Sequence, residues 1–298
     1  MVAFEKEIQM QIEFMKNFIP QRTIPRSKQN QIIFCGTGDS LASVKIAEAF
    51  SNSRIQAFDP LELLANKKLL AKKSLYLVSI SGNTISNIRI AKKHNATAIT
   101  ANQNSRLAKQ CSKIIRLDFE NMGIQTAGSI SFLASMLTCV SLVSQVSLKS
   151  ASKMFYHAEK IAKRTQINGK VFVLGDYWSY PVAMYCAAKL YETLGLDAYY
   201  ERMEEFSHMG LFSAKKGDTV IIFEQRNQHN QKLVSSLKKY GLRPVRIDPP
   251  SSDKLNQVLF FVFVSQFLAL YQAKKKHKKE CFFVEQKKLR DTSSSMIY

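Results

Sequence analysis

The sequence predicts an α/β protein built on two parallel sheets, each flanked by helices. Three observations predict it. Short β-rich runs alternate with helical patterns of about ten to fifteen residues. The same strand–turn–helix order recurs in the second half of the chain. Of 298 residues, 46% are hydrophobic and 22% charged, the balance of an ordinary globular protein with a real core. That length exceeds the usual size of one domain, so two related α/β domains are expected, each a three-layer, flavodoxin-like sandwich.

The elements follow in order. Phe4, Ile8, Ile12, Met15 and Ile19 recur at helical spacing and Pro20 ends the pattern, which predicts an amphipathic helix packed on the body. Residues 31–35 form a β-rich run that enters a turn at Gly36-Thr37-Gly38, with small and apolar residues at helical spacing beyond it. Ser74–Ile80 reads as a strand, Ser81–Thr84 as a turn, Ile85–Lys93 as a helix and Ala96–Thr100 as a strand. The second half repeats the grammar: Val171–Leu174 as strand, Gly175-Asp176 as turn, Val182–Leu194 as helix. Thr219–Phe223, Lys232–Tyr240 and Arg243–Ile247 then read as strand, helix and strand. Between the halves, the charged stretch from Ser147 to Asn168 predicts an exposed linker helix. The expected divisions are an amino-terminal helix over 1–29, a first domain over 30–150 and a second over 151–298.

Two apolar stretches are tested as membrane spans. Asn121–Leu148 carries no charge but is interrupted by six serines, two threonines and two glutamines. Val258–Leu270 is too short for a hydrocarbon layer of about 30 Å. Both read as buried helices, and no membrane partner is expected. The first twenty residues contain Glu5, Glu7 and Glu13 and resemble no signal peptide. Five cysteines without a CxxC spacing read as buried thiols in a reducing, cytoplasmic compartment.

In open parallel sheets, ligands bind beyond the carboxyl ends of the strands. The turn Ser79-Ile80-Ser81-Gly82-Asn83-Thr84 combines hydroxyl donors, a glycine that permits a tight backbone and the start of a helix. That chemistry suits a phosphate monoester. A plain helix cap is the alternative. The matching turn of the second half, Glu224-Gln225-Arg226-Asn227, has neither glycine nor hydroxyl, so the phosphate site is assigned to the first half. The histidines (His94, His157, His208, His229, His277) show no metal-ligand spacing, and no metal or cofactor is expected. Gly36-Thr37-Gly38 lacks the third glycine of a dinucleotide fingerprint. Lysine plus arginine total 43 against 23 acidic residues, a formal charge of +20. It suits an anionic substrate or a salt-rich or acidic cell interior. The run Lys274–Lys279 reads as a solvated face, so no specific nucleic-acid partner is expected.

Gly36-Thr37-Gly38-Asp39-Ser40 and Ser79-x-Ser81-Gly82-Asn83-Thr84 resemble the signature loops of the sugar isomerase (SIS) domain. The second half resembles the isomerase domain of glucosamine-6-phosphate synthase through Tyr180-Pro181-Val182-Ala183, Ala188-Lys189-Leu190-x-Glu192 and Glu205-Phe206-Ser207-His208. The Ser-Gly-Asn-Thr form of the phosphate loop is closer to archaeal phosphoglucose/phosphomannose isomerases, which also contain two SIS domains. Three departures stand out. The family's covering lysine near the carboxyl terminus is replaced by Arg290-Asp291-Thr292, Met209-Gly210 follows the histidine where the synthase has Gly-Pro, and Ile80 replaces a loop glutamine. Only 29 residues precede the resemblance, so no glutamine-dependent step is expected.

The resemblance implies an aldose–ketose isomerase of a hexose or hexosamine 6-phosphate, working through an enediol. It makes Glu192 the proton shuttle, His208 the ring-opening group donated across a homodimer, and Lys189 the cation beside developing negative charge. It implies substrate contacts at Gly36, Thr37, Gly38, Ser79, Ser81, Gly82, Asn83, Thr84 and Ser129. From spacing alone, Lys189 and Glu192 read as an exposed ion pair one helical turn apart. Glucosamine-6-phosphate deamination, which shares the enediol step, and a non-catalytic sugar-phosphate sensor are the alternatives.

Overall fold

The computed structural model describes residues 1–298. Its first part runs α1 (Val2–Asn17), α2 (Arg26–Gln29), β1 (Ile32–Cys35), α3 (Asp39–Phe50), β2 (Gln56–Phe58) and α4 (Pro60–Ala65). Then come β3 (Ser74–Val78), α5 (Ile85–Ala91), β4 (Ala96–Thr100), β5 (Lys113–Arg116), α6 (Ile130–Val143) and α7 (Ala151–Arg164). The second part runs β6 (Val171–Gly175), α8 (Tyr180–Leu194), β7 (Ala198–Glu201), α9 (Met203–His208), β8 (Thr219–Phe223) and α10 (Gln228–Tyr240). It ends with β9 (Arg243–Ile247), α11 (Lys254–Lys275), α12 (Phe282–Glu285) and α13 (Lys287–Ile297).

The chain divides into two compact units. One comprises Lys16–Gly123, Gly128–Val146 and Gln286–Tyr298; the other comprises Met1–Met15, Ile124–Ala127 and Ser147–Glu285. The terminal segments therefore group with the opposite halves of the sequence. The first unit holds a sheet of order β2-β1-β3-β4-β5 and the second a sheet of order β7-β6-β8-β9. Every strand pair in both is parallel. The shared order over four strands is the structural counterpart of the repeated sequence grammar, and the α/β class with two helix-flanked parallel sheets is established.

Parallel strands covered on both faces need continuous apolar runs. β1, β6 and β8 are buried at every residue. In the first unit Ile33, Cys35, Leu75, Leu77 and Ala98 point into one core layer with Leu63, Ile88 and Leu107. α3 and α6 pack together, joined by a buried 3.0 Å hydrogen bond between the Ser43 and Ser135 hydroxyls. α13 joins this unit, its carboxyl-terminal Tyr298 carbonyl accepting from Arg106 Nη1 at 3.3 Å.

In the second unit α11 is the central helix, packed against α7 and α8. It is long and apolar enough to cross a membrane, but 89% of its apolar window is buried inside the protein. The stretch from Ser147 to Asn168 is not the exposed linker its charges suggest. Within it, α7 buries Met154, Phe155, Ala158 and Ala162, and the Phe155 ring meets Phe263 at 5.2 Å and Phe267 at 4.9 Å. Its lysines and arginine lie on the other face of an amphipathic helix. α1 also departs from the simple pattern. Phe4, Ile8 and Met15 are buried as expected, but Ile19 lies beyond the helix and is 81% exposed. Glu7 and Gln11 are buried instead, and Gln11 Nε2 donates to Gln266 Oε1 of α11 at 2.7 Å. All five cysteines are free thiols, and burial pushes the half-buried Cys111 up to about 11.

Phe155 holds two helices together, so Phe155→Ala should cost about 3–5 kcal/mol of unfolding free energy. Urea denaturation followed by circular dichroism measures it. Tyr156→Ala, at the adjacent position that is 53% exposed, should cost about 1 kcal/mol or less.

Candidate active site

β1 and β3 are neighbours, with Ile32 opposite Ser74 and Cys35 opposite Leu77. Their following loops therefore leave the carboxyl edge of the sheet side by side. The first, Gly36–Gly38, turns tightly under α3: a Cβ on Gly36 would fall 2.8 Å from the Ser40 side chain. Gly38, at φ +57°, caps α3 with no side chain, and nothing lies within 4 Å of where its Cβ would be. Space is thus open in front of the amino end of a 12-residue helix. Ser129 caps α6 and is fully buried, and Gly128 beside it leaves room for the Asp39 carboxylate, which a Cβ would meet at 2.5 Å. The starts of α3 and α6 are thereby brought together.

The second loop, Ser79–Thr84, is braced from within. The Ser79 and Thr84 hydroxyls lie 3.1 Å apart and both residues are buried. The Gly82 N–H donates to Ser79 Oγ at 3.2 Å, and the Asn83 N–H to Ser81 Oγ at 3.3 Å. Thr84 occupies the cap position of α5 without a side-chain capping bond. The plain-cap alternative therefore does not describe its hydroxyl. Gly82 is required twice over: its φ is +65°, and a Cβ would sit 2.1 Å from Ser105 Oγ. Ser81 and Asn83 are half-buried.

The equivalent turn of the second sheet is used differently. Asn227 and Asn230 form a reciprocal capping box, with bonds of 2.8 and 3.1 Å, and Asn230 Nδ2 donates to Glu224 Oε2 at 2.8 Å. Asp176 follows β6 and Glu224 follows β8, on adjacent strands. Burial first, and then the Glu224 charge, raise the Asp176 carboxyl above its ordinary value.

α8 carries the remaining groups. Pro181 opens it and Gly195, at φ +64°, ends it, as proline and glycine favour at those positions. Lys189 is completely buried; its ammonium donates to the Glu192 carboxylate and lies 5.0 Å from the centre of the Tyr185 ring. The exposed-pair reading of this spacing is wrong for the lysine, whereas the Glu192 side chain keeps 31% of its surface open. Tyr185, one turn before Lys189, is buried too and its hydroxyl accepts from Gln266 Nε2 at 3.1 Å. The sequence reading missed Tyr185 and Gln266, although the four-residue step from Tyr185 to Lys189 places both on one helix face. His208 ends α9 with its side chain 74% exposed, 3.6 Å from Glu204 Oε1 on its own helix. It is presented to solvent. The structure thus brings Lys189 and Glu192 together and the two loops of the first sheet together.

Gly82→Ala and Gly38→Ala both place a Cβ at positive φ, at a cost of at least about 1–2 kcal/mol, but only the former adds a collision, with Ser105. Chemical denaturation should therefore show a distinctly larger loss for Gly82→Ala. A second expectation concerns pH. Because the folded protein raises the Asp176 pKa, the unfolded chain ionises this carboxyl more readily. Its contribution to stability is complete at acid pH and is lost as pH rises through the folded pKa. Asp176→Asn removes that loss, so its melting temperature relative to wild type should climb from about pH 3 to about pH 7.

No protein-family model and no curated protein matches the sequence. Solved structures do match the fold. The carboxyl-terminal domain of glucosamine-fructose-6-phosphate aminotransferase from Francisella tularensis superposes with a TM-score of 0.71 at 16% identity, covering 94% of this chain and 97% of that one. Glucosamine-6-phosphate deaminase from Thermotoga maritima gives 0.71 at 19% identity, covering 93% and 95%. Tagatose-6-phosphate ketose/aldose isomerase from Escherichia coli gives 0.69 at 16% identity, covering 93% and 92%. The chain has the fold of the SIS-type phosphosugar proteins, over almost its whole length and theirs.

Proposed function

We propose that this protein is a sugar-phosphate isomerase that interconverts the aldose and ketose forms of a hexose or hexosamine 6-phosphate. The observation that carries the reading is the Lys189–Glu192 pair. A buried ammonium held on a partly open carboxylate favours the ionised carboxylate, which is the state a proton shuttle needs. In this reading Glu192 takes the proton from C2 of the open-chain aldose as the C2 electron pair forms the enediol double bond. The C1 carbonyl pair moves onto O1, the proton of the O2 hydroxyl passes to O1, and Glu192 returns its proton to C1 as the ketose carbonyl forms at C2. Lys189 offsets negative charge that develops on the sugar oxygens. Gly36, Thr37, Gly38, Ser79, Ser81, Gly82, Asn83, Thr84 and Ser129 receive the sugar phosphate. The Ser79–Thr84 pair uses one hydroxyl proton internally and leaves the other for the ligand.

His208 serves ring opening from a second copy of the chain, so the active form is a homodimer; its high exposure in one copy supports this. The two units built on the two sheets act as two SIS domains, and the free thiols fit a reducing cytoplasm. Deamination of glucosamine 6-phosphate is a second reading, favoured by the fold similarity to the Thermotoga maritima deaminase. Ammonia release distinguishes the two.

Hexose and hexosamine 6-phosphates incubated with the protein and followed by NMR should show C1–C2 interconversion. Glu192→Gln should lower turnover by roughly two to four orders of magnitude with substrate affinity nearly unchanged. Retained turnover would assign the proton to another group. Ser81→Ala with Thr84→Ala should weaken sugar-phosphate binding at least ~10-fold by calorimetry, since each hydrogen bond to a charged group contributes about 1.5–3 kcal/mol. Binding without turnover of any substrate would instead favour a sensor.

A further inference from the structure

A fully buried lysine needs more than one carboxylate to hold it in a single geometry, and the second unit supplies a chain of polar groups beneath it. Gln11 Nε2 of α1 donates to Gln266 Oε1 of α11 at 2.7 Å. Gln266 Nε2 donates to the Tyr185 hydroxyl of α8 at 3.1 Å. The Tyr185 ring lies 5.0 Å from the Lys189 ammonium, which in turn holds Glu192. Gln11 and Gln266 are each 0% exposed. Gln266 follows Ser265, whose hydroxyl is tied to the Phe261 carbonyl of the same helix at 2.7 Å, and these two are the polar residues of the buried stretch Val258–Leu270 of α11. Gln11 is costly, because its Oε1 is buried without a partner. An apolar side chain would avoid that cost. What the glutamine provides is direction: its N–H fixes the Gln266 carbonyl and so turns the Gln266 NH2 toward Tyr185.

We propose that Gln11 is a positioning residue for the Lys189–Glu192 pair, acting through Gln266 and Tyr185. The amino-terminal helix then does more than cover apolar surface. It sets the orientation of the ring against which the lysine ammonium rests. The catalytic part of the proposal rests on the reading of Glu192 as proton shuttle; the orienting part does not.

The test uses the full chain with Gln11→Leu, Tyr185→Phe, their combination, and Glu5→Gln. The last removes the exposed 2.6 Å ion pair of Glu5 with Lys274, another α1–α11 contact outside the buried chain. Gln11→Leu and Tyr185→Phe should each lower kcat about three- to tenfold with KM unchanged, and the double variant should fall no further than the worse single one. Glu5→Gln should leave both constants unchanged. Additive losses, a rise in KM alone, or an equal loss in Glu5→Gln would overturn the proposal, since each marks general loosening of the helix. A second measurement is independent of turnover. Nitrogen-15 NMR of the lysine ammonium groups should show the Lys189 signal shifted and its hydrogen exchange at least tenfold faster in Gln11→Leu. An unmoved Lys189 signal overturns the orienting role. A wild type inactive on every sugar phosphate but with a Lys189 signal that moves would defeat the isomerase reading and leave the orienting role standing. Should Gln11→Leu fail to fold, Gln11→Asn keeps an amide too short to reach Gln266 and should give the same changes.

Discussion

Parallel strand pairing is the constraint on which the other features depend. Successive parallel strands cannot be joined by a tight turn, so each connection crosses a face of the sheet, usually as a helix. That covers both faces, makes β1, β6 and β8 apolar at every position, and gathers all strand-following loops at one edge. Clusters of polar side chains are then placed at that edge or on the helices. The serine-rich loop after β3 is of the first kind. Lys189 and Glu192 on α8 are of the second.

The two sheets share a strand order and differ in how their loop side chains are used. After β8 the side chains of Asn227 and Asn230 satisfy the helix start, and Asn230 also donates to the Glu224 carboxylate. After β3 the hydroxyls of Ser79 and Thr84 bond each other and leave the cap position unserved. Gly82 makes that arrangement possible, because its backbone lies against Ser105 where no Cβ fits. The same strand order thus carries a reciprocal side-chain cap in one half and a loop whose hydroxyls bond each other in the other.

Lys189 shows how burial changes the meaning of a sequence pattern. On an exposed helix, a lysine three residues before a glutamate contributes a few tenths of a kcal/mol at most. With the ammonium removed from water, the same pair must compensate a large desolvation cost, and loss of either partner has consequences. The Tyr185 ring face, held by an amide, is part of that compensation.

The sequence by itself determined the class of fold, the repeat and most central elements. Apolar runs and helical periodicity are local signals, and β4, β8 and β9 match the expected bounds of Ala96–Thr100, Thr219–Phe223 and Arg243–Ile247. The strands it did not disclose, β2, β5 and β7, all lie at sheet edges, are three or four residues long and are only partly buried. Edge strands cover one neighbour and need no apolar run, so they leave little periodic signal. The turns after β1 and β3 were legible because glycine and hydroxyl signals are local. Only tertiary structure decided that Lys189 is dry, that Gln11 rather than Ile19 faces inward, and that the charged helix over Ala151–Arg164 is a packed element. Those facts depend on which distant helix arrives at each face: α11 contributes Gln266 from 81 residues beyond Tyr185, and no local pattern encodes that meeting.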